Sequence, residues 1–249
     1  MVNRDSVALF GLQVLSHAGL FILLIHGRFD LLFFSFLVYF ITGCFGMTMT
    51  YHRLLAHKSW NAPKWFEWFG TIAGTYGLVG SSIAWTAIHK EHHRHTDDEQ
   101  DPHAPSIKGF IEVQWLSMFE QPKLKYVTHL LRRPLHTFLH KHYLLIHVAI
   151  LAALLIVAGP MWTCALYLAP AAILWNAGSL INTATHLFGY RNHETDDDST
   201  NIHFLGYLMW GEGWHNNHHA KPTKSQFGEK WWEYDVGGVF IKLLERRQK

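Results

Sequence analysis

Four segments concentrate the histidines of this chain: His52-Arg-Leu-Leu-Ala-His57, His89-Lys-Glu-His92-His93, Asn182-Thr-Ala-Thr-His186 and His215-Asn-Asn-His218-His219. They hold nine of its twenty histidines. One ion cannot use nine imidazoles, since a structural zinc site closes at four ligands with none left over. In each HxxHH box the side chains at i, i+3 and i+4 share one helix face, so each box is predicted to present three nitrogens to one point. Asn182 and His186 are likewise four apart. Imidazoles without an interleaved Cys or carboxylate pattern point to two metal ions in nitrogen-rich shells, with positions open for a small molecule and hence oxidative chemistry. A lone His is ordinarily a satisfied core or surface group, an explanation that has to hold nine times here. The other eleven repeat no such box; His95 and His103 are the two that lie beside one.

The elements that position these residues follow from hydropathy. Residues 7–25 carry only Gln13, Ser16 and His17 as polar interruptions, and 31–49 contain no charge. At about 1.5 Å per residue either run crosses roughly 30 Å of hydrocarbon. The two pair through Gly27-Arg28-Phe29-Asp30, and a second pair, 143–158 and 161–181, turns at Gly159-Pro160. Pro170 is tolerable inside such a span, where neighbours satisfy the freed carbonyl. The expected fold class is therefore an all-α integral membrane protein, 1–249 forming one domain. Four transmembrane helices in two hairpins carry a cytoplasmic helical cap, 51–142 and 184–249, that holds a histidine-rich dimetal site. The first apolar run is too long for a cleavable signal and no small-residue cleavage site follows it. Cys44 and Cys164 fall inside expected spans and read as small apolar residues.

The net charge of +2 says little, but its distribution says more. Lys and Arg number eleven between Tyr51 and His142 and eight after Thr183, with none in the turn between the last two spans. The positive-inside rule then makes both termini and the middle segment cytoplasmic. No basic patch with stacking aromatics suggests nucleic acid as a partner. Under this topology His52 follows span two, His186 follows span four, and both boxes reach the same membrane face. The apolar stretch 68–88 must then not cross, because a crossing would separate His57 from His89. Its glycines and the Trp60, Trp65 and Trp68 that precede or open it suit a re-entrant or surface-lying helix that roofs the site.

These residues resemble the membrane-bound fatty acid desaturase family, in particular its stearoyl-type, first-double-bond branch. The elements that carry the likeness are HRLLAH at 52–57, HKEHH at 89–93, DPH at 101–103, NTATHLFGYRNHET at 182–195, GEGWHNNHHA at 211–220 and WWEYD at 231–235. The resemblance implies that His52, His57, His89, His92, His93, His186, His215, His218 and His219 ligate two iron ions. It also implies that Asn182 holds one iron through a water and that no catalytic residue beyond these ligands is required. The implied reaction uses O₂ and two externally supplied electrons to remove two hydrogens from a saturated acyl chain, leaving a cis double bond.

Animal acyl-CoA desaturases carry an Arg-Asp pair before the second box, where this chain reads Trp85-Thr86-Ala87-Ile88-His89. Acyl-lipid, acyl-CoA and acyl carrier protein substrates all remain open on sequence. No haem-binding domain accompanies the motifs, so a separate ferredoxin-like or cytochrome b5-like donor is expected. A membrane diiron hydroxylase is the alternative, and a non-enzymatic metal or haem carrier a weaker one. Phe36 and Phe40, sixteen and twelve residues before His52, are expected to close the far end of an acyl tunnel.

Overall fold

In the computed structural model, which describes residues 4–246, the chain is helical throughout. Among the described residues there is no β-strand, only isolated bridges joining Tyr190 to Asn201 and Asn201 to Trp214. Helix α1 (Arg4–Ile25) turns at Gly27, whose φ of 61° suits glycine, into α2 (Phe29–Ala56). The expected second span thus runs further than 49 and carries His52 on the same helix. The chain continues through α3 (Lys64–Tyr76), α4 (Ser82–His95), α5 (Pro134–Lys141), α6 (Tyr143–Val157) and α7 (Gly159–Ala184). Three short elements close it: α8 (His203–Leu208), α9 (His215–Ala220) and α10 (Val236–Arg246).

Three helices, α1, α2 and α7, are long and apolar enough to cross a membrane; α5 and α6 together make a fourth candidate, bent by 71°. Their outward faces bear large apolar side chains such as Phe21, Phe33 and Ile156. Polar residues on α1 are satisfied internally, as a hydrocarbon setting demands: Ser16 donates to the Leu12 carbonyl and Gln13 to that of Leu78. Pro170 follows directly on a π-wound turn, Cys164–Leu168, where the ordinary helical ladder is already interrupted. Cys44 and Cys164 are free and buried, matching their reading as apolar residues.

The stretch between α2 and α4 descends beside α2 and returns. Gly46 and Gly74 let the two backbones touch, since a Cβ on Gly46 would lie 2.4 Å from the Gly74 nitrogen. The apex at 76–81 is tied to three neighbours: Gln13 on α1 donates to the Leu78 carbonyl, Gly80 N donates to the Tyr143 hydroxyl on α6, and the Tyr76 hydroxyl donates to the Leu166 carbonyl on α7. Ser81 then caps α4 by accepting from Ala84 N. Residues 68–88 therefore dip and come back, as the need to join His57 to His89 required.

The C-terminal part departs from a simple cap. Trp210 packs on Tyr39 with ring centroids 4.8 Å apart, and Phe240 on α10 meets Phe40 and Phe45. Residues 203–246 thus lie partly along the side of α2. Phe40 is enclosed by Phe45, Trp210 and Phe240, and Phe36 is half exposed on the outer face, so neither lines the cavity described below. The expectation that they close a tunnel is overturned because Trp210 and Phe240 cover Phe40 and Phe36 faces outward.

Candidate metal centre

All nine predicted histidines converge, but they sort into two groups in a way that spacing did not suggest. His52, His57, His89, His93 and His218 form one cluster, and His92, His186, His215 and His219 the other, with ligand atoms in each within 4.8 Å of one another. Each HxxHH box is divided between them, which corrects the expectation of three nitrogens aimed at one point. On a helix, positions i and i+4 diverge by about 40° and point together, whereas i+3 lies about 100° from i+4. His89 and His93 accordingly share the first cluster while His92 turns to the second. The other box reciprocates, with His215 and His219 in the second cluster and His218 in the first.

The spacing of five between His52 and His57 has its own explanation. On an ordinary α-helix these side chains would be roughly 140° apart. The second half of α2, Ile41–Ala56, is wound as a π-helix instead, and His57 N donates to the His52 carbonyl at 3.0 Å. This winding brings the two rings to a centroid separation of 4.8 Å.

The nitrogens meet edge to edge. Nε2–Nε2 separations are 2.7 Å for His57–His89, 3.0 Å for both His52–His218 and His93–His218, and 3.1 Å for His186–His215. Two imidazole nitrogens about 2.1 Å from a common metal lie about 3.0 Å apart when they subtend a right angle. The Nε2 atoms of His92 and His219 are buried and carry no hydrogen bond, a costly state for a nitrogen unless it faces a metal. Burial first, and the mutual repulsion that neighbouring imidazoles would feel if protonated second, holds the imidazoles of His57, His89, His93, His215, His218 and His219 below the usual histidine range. For His57, where the charge of Lys90 is the main influence after burial, the value falls to about 3. These rings are neutral at physiological pH, the form a metal requires. The donor set fits a pair of metal ions.

Four carboxylates stand behind the rings, and none had been named as a site residue from sequence, although Asp101 lies in the DPH element and Glu212 in GEGWHNNHHA. His92 Nδ1 donates to Asp101 at 2.9 Å, His186 Nδ1 to Asp97 at 3.0 Å and His219 Nδ1 to Asp197 at 2.8 Å, while a Glu212 carboxylate oxygen lies 2.5 Å from His52 Nδ1 as an ion-pair contact. Each such bond fixes the tautomer that aims Nε2 inward. Burial pushes the Asp101 carboxyl up, but His92 and the backbone N–H groups of Asp97 and His103 outweigh it and bring the group down to about 2. Asp97 sits at a φ of 61°, tolerable for Asp, and also accepts from Asp198 N. The acidic runs TDDEQD after the second box and TDDDS after His193 were the available signal. Spacing alone did not say which of those acids turned inward.

Glu212 is further held by Arg53, a fully buried guanidinium that also donates to Asp235 at 2.9 Å and lies 3.9 Å from the centre of the Phe227 ring. Burial pushes Glu212 up to about 8 against the pull of Arg53. The two asparagines of HNNHH fasten α9, which is only six residues long. Asn216 accepts from the backbone of Asn192 and His193, and Asn217 donates to Glu233 and to the Phe227 carbonyl.

Asn182 lies on α7 one turn before His186, in the wall of a small void shared with His52, His89 and His215. That void adjoins a larger cavity of about 470 Å³ through Met47, Trp85, Gly178 and Asn182, which line both. Trp85 stacks on His89 at 4.8 Å. His103, left aside on sequence, also lines the larger cavity, its buried Nδ1 without a hydrogen bond. His95, the other histidine beside a box, pairs instead with Asp98 away from both clusters.

A bundle of apolar helices with paired histidine clusters beside a cavity defines a membrane protein with a candidate metal site. The family model of fatty acid desaturases matches residues 31–234. The chain is 36% identical over 219 residues to an sn-1 stearoyl-lipid 9-desaturase of Anabaena variabilis, covering 85% of this chain and 79% of that one. It is 34% identical over 220 residues to an sn-2 palmitoyl-lipid 9-desaturase of Nostoc sp. (strain 36), covering 84% and 76%. An acyl-CoA 5-desaturase of Anemone leveillei is 36% identical over 224 residues, covering 85% and 68%. The chain belongs to the fatty acid desaturase family and is an oxidoreductase that desaturates fatty acyl chains.

Proposed function

We propose that the two clusters hold two irons, with five histidines around one and four around the other, whose shell Asn182 completes through a water. The observation that carries this reading is the division of nine imidazoles, six buried and three half-buried, into two groups beside one cavity. When bound, the irons would supply O₂ activation. The balance is then two hydrogens from the acyl chain, two electrons and two protons against one O₂, giving a cis double bond and two waters. The chain's own residues supply the rest: the carboxylates set the imidazole tautomers, Trp85 and Met47 wall the passage, and Asn182 stands where the passage meets the histidines.

The substrate in this reading is an acyl group of a membrane glycerolipid, as the stearoyl-lipid and palmitoyl-lipid names of two relatives suggest. Electrons come from a separate ferredoxin-like or cytochrome b5-like donor. Residues 1–249 form one domain that spans the membrane four times, with the site and both termini on the cytoplasmic side, in keeping with the distribution of Lys and Arg. Expression in a lipid-producing host tests the assignment, with gas chromatography of acyl chains and metal analysis of the purified protein. New cis-unsaturated chains and about two irons per chain are expected. Hydroxylated chains would move the assignment to a hydroxylase, and stoichiometric zinc without new products to a metal carrier.

A further inference from the structure

The larger cavity has a mouth, and its position bears on how a substrate arrives. Leu9 and Leu12 on α1, Leu144 and Leu145 at the start of α6, and Met118 all line the cavity. Leu145 is 66% exposed, so this rim opens outward in the same surface as the apolar faces of the spans. Along α7 the cavity is lined from Leu174 to Asn182, eight residues or about 12 Å of helix, and it meets the histidine void at Gly178 and Asn182.

The mouth also has a polar edge. Glu120, Gln121 and Lys141 line it, and Glu120 is paired with Lys108. Lys141 ends α5, which packs Leu139 inward and exposes Phe138, and the chain then bends by 71° into α6. A helix that lies flat and then turns to cross marks the boundary between headgroups and acyl chains. The opening therefore straddles that boundary, polar on one edge and apolar on the other. Its edge carries one lysine, one paired acid, an amide and the imidazoles of His140 and His142, a set with a single fixed cation that suits a neutral or zwitterionic headgroup. A water-soluble carrier bearing several phosphates would need a cluster of cations there.

We propose that the gap between α1, Met118 and the α5–α6 bend is a lateral entrance through which an acyl chain, still esterified to a bilayer glycerolipid, slides from the membrane to the metal centre. This rests on the glycerolipid reading above. The headgroup stays at the polar edge while the chain passes between Leu9, Leu12 and Leu145.

The entrance can be tested without turnover. The protein is reconstituted in phosphatidylcholine vesicles doped with a phosphatidylcholine that carries a diazirine at mid-chain, irradiated, and its labelled residues mapped. Label is expected on the inner wall at Trp85 and Leu174 as well as on the outward-facing Phe21 and Ile156. The paired change Leu9→Trp with Leu145→Trp should lower inner-wall labelling about tenfold and leave Phe21 and Ile156 unchanged. Leu9→Ala with Leu145→Ala should preserve it, which separates blockage from misfolding. A soluble acyl thioester should not compete. Label confined to Phe21 and Ile156 in the unaltered protein would overturn the entrance, as would inner labelling that the Trp pair leaves intact or that the thioester removes. Product analysis of the unaltered protein reads the desaturase assignment separately, so the two can fail independently.

Discussion

Five imidazoles surround one point of the site and four surround the other, and the carboxylates behind them are distributed in the opposite sense. In the four-histidine cluster, His92, His186 and His219 each donate to an aspartate. In the five-histidine cluster a carboxylate pair is made by His52 with Glu212, itself tied to buried Arg53. The first arrangement borrows its order from loops, because Asp97, Asp101 and Asp197 also accept backbone N–H groups that shape those loops. The second takes its order from helix winding and packing, through the π-wound end of α2 and the i, i+4 pair on α4. Fewer histidines are thus matched by more anionic support, which raises the basicity of His92, His186 and His219. The same two sequence boxes serve both designs by splitting.

Removing one ligand from each cluster breaks the comparison most severely. His218→Ala and His215→Ala should both reduce product to background by gas chromatography, but they should differ in metal content. The first leaves four histidines in its cluster and should retain close to two metals per chain. The second leaves three and should fall to about one. Equal losses in the two variants would mean the clusters are not independently built.

Arg53→Met strikes the anchor of the five-histidine cluster. It strands Glu212 and Asp235 in the interior, and breaking a buried ion pair by removing one partner costs about 3–5 kcal/mol. Denaturant titration of the detergent-solubilised protein should show a loss of that size. A loss below about 1 kcal/mol, the value of a surface pair, would contradict the proposed anchoring.

Asp101→Asn is the gentler counterpart in the other cluster. It should weaken metal retention or activity by roughly 10–100-fold, the usual cost of removing a carboxylate behind a ligating histidine. Retention measured against a chelator should show one metal leaving early and the other unaffected. Asn182→Ala should fall at the lower end of that range, about tenfold in product formation, because a water-mediated contact is replaced rather than a direct ligand.

A pH dependence of the metal-free protein follows from the same burial and draws on His57, His89, His93, His215, His218 and His219 together. His57 is held near 3 in the folded chain against an ordinary 6.5. Above about pH 6.5 neither state binds the proton; below it the unfolded ring does and the folded ring refuses, so stability falls as pH drops from about 6.5 toward 3. Asp101 adds to the loss only below about pH 4, since its folded value is about 2. Denaturation midpoints compared at pH 7 and about pH 5.5 should therefore show the lower pH less stable, with metal loading reducing the difference. An unchanged midpoint would place His57 in contact with water.

Much of this was legible in the sequence because the chemistry sits in residue types that rarely cluster. All nine histidines were named from spacing, and the need to join His57 to His89 required residues 68–88 to return, as they do. The division of the boxes was not legible, since it depends on where the second helix stands relative to the first. Helical spacing describes one helix only. The π-winding of α2 left no mark beyond the spacing of five between His52 and His57. Phe40 was assigned to the tunnel from its depth along α2 alone, and the packing of Trp210 and Phe240 against it is a long-range contact that periodicity cannot carry. The supporting aspartates lay in plain view beside the boxes, but an acidic run on a loop is ordinarily a solvated face.

The most direct test of the split site is anomalous scattering from crystals of the iron-loaded protein, recorded at the iron absorption edge. Two peaks are predicted, one within bonding distance of His52, His57, His89, His93 and His218, the other within bonding distance of His92, His186, His215 and His219. A single peak, or a peak bonded to all three histidines of one HxxHH box, would contradict it.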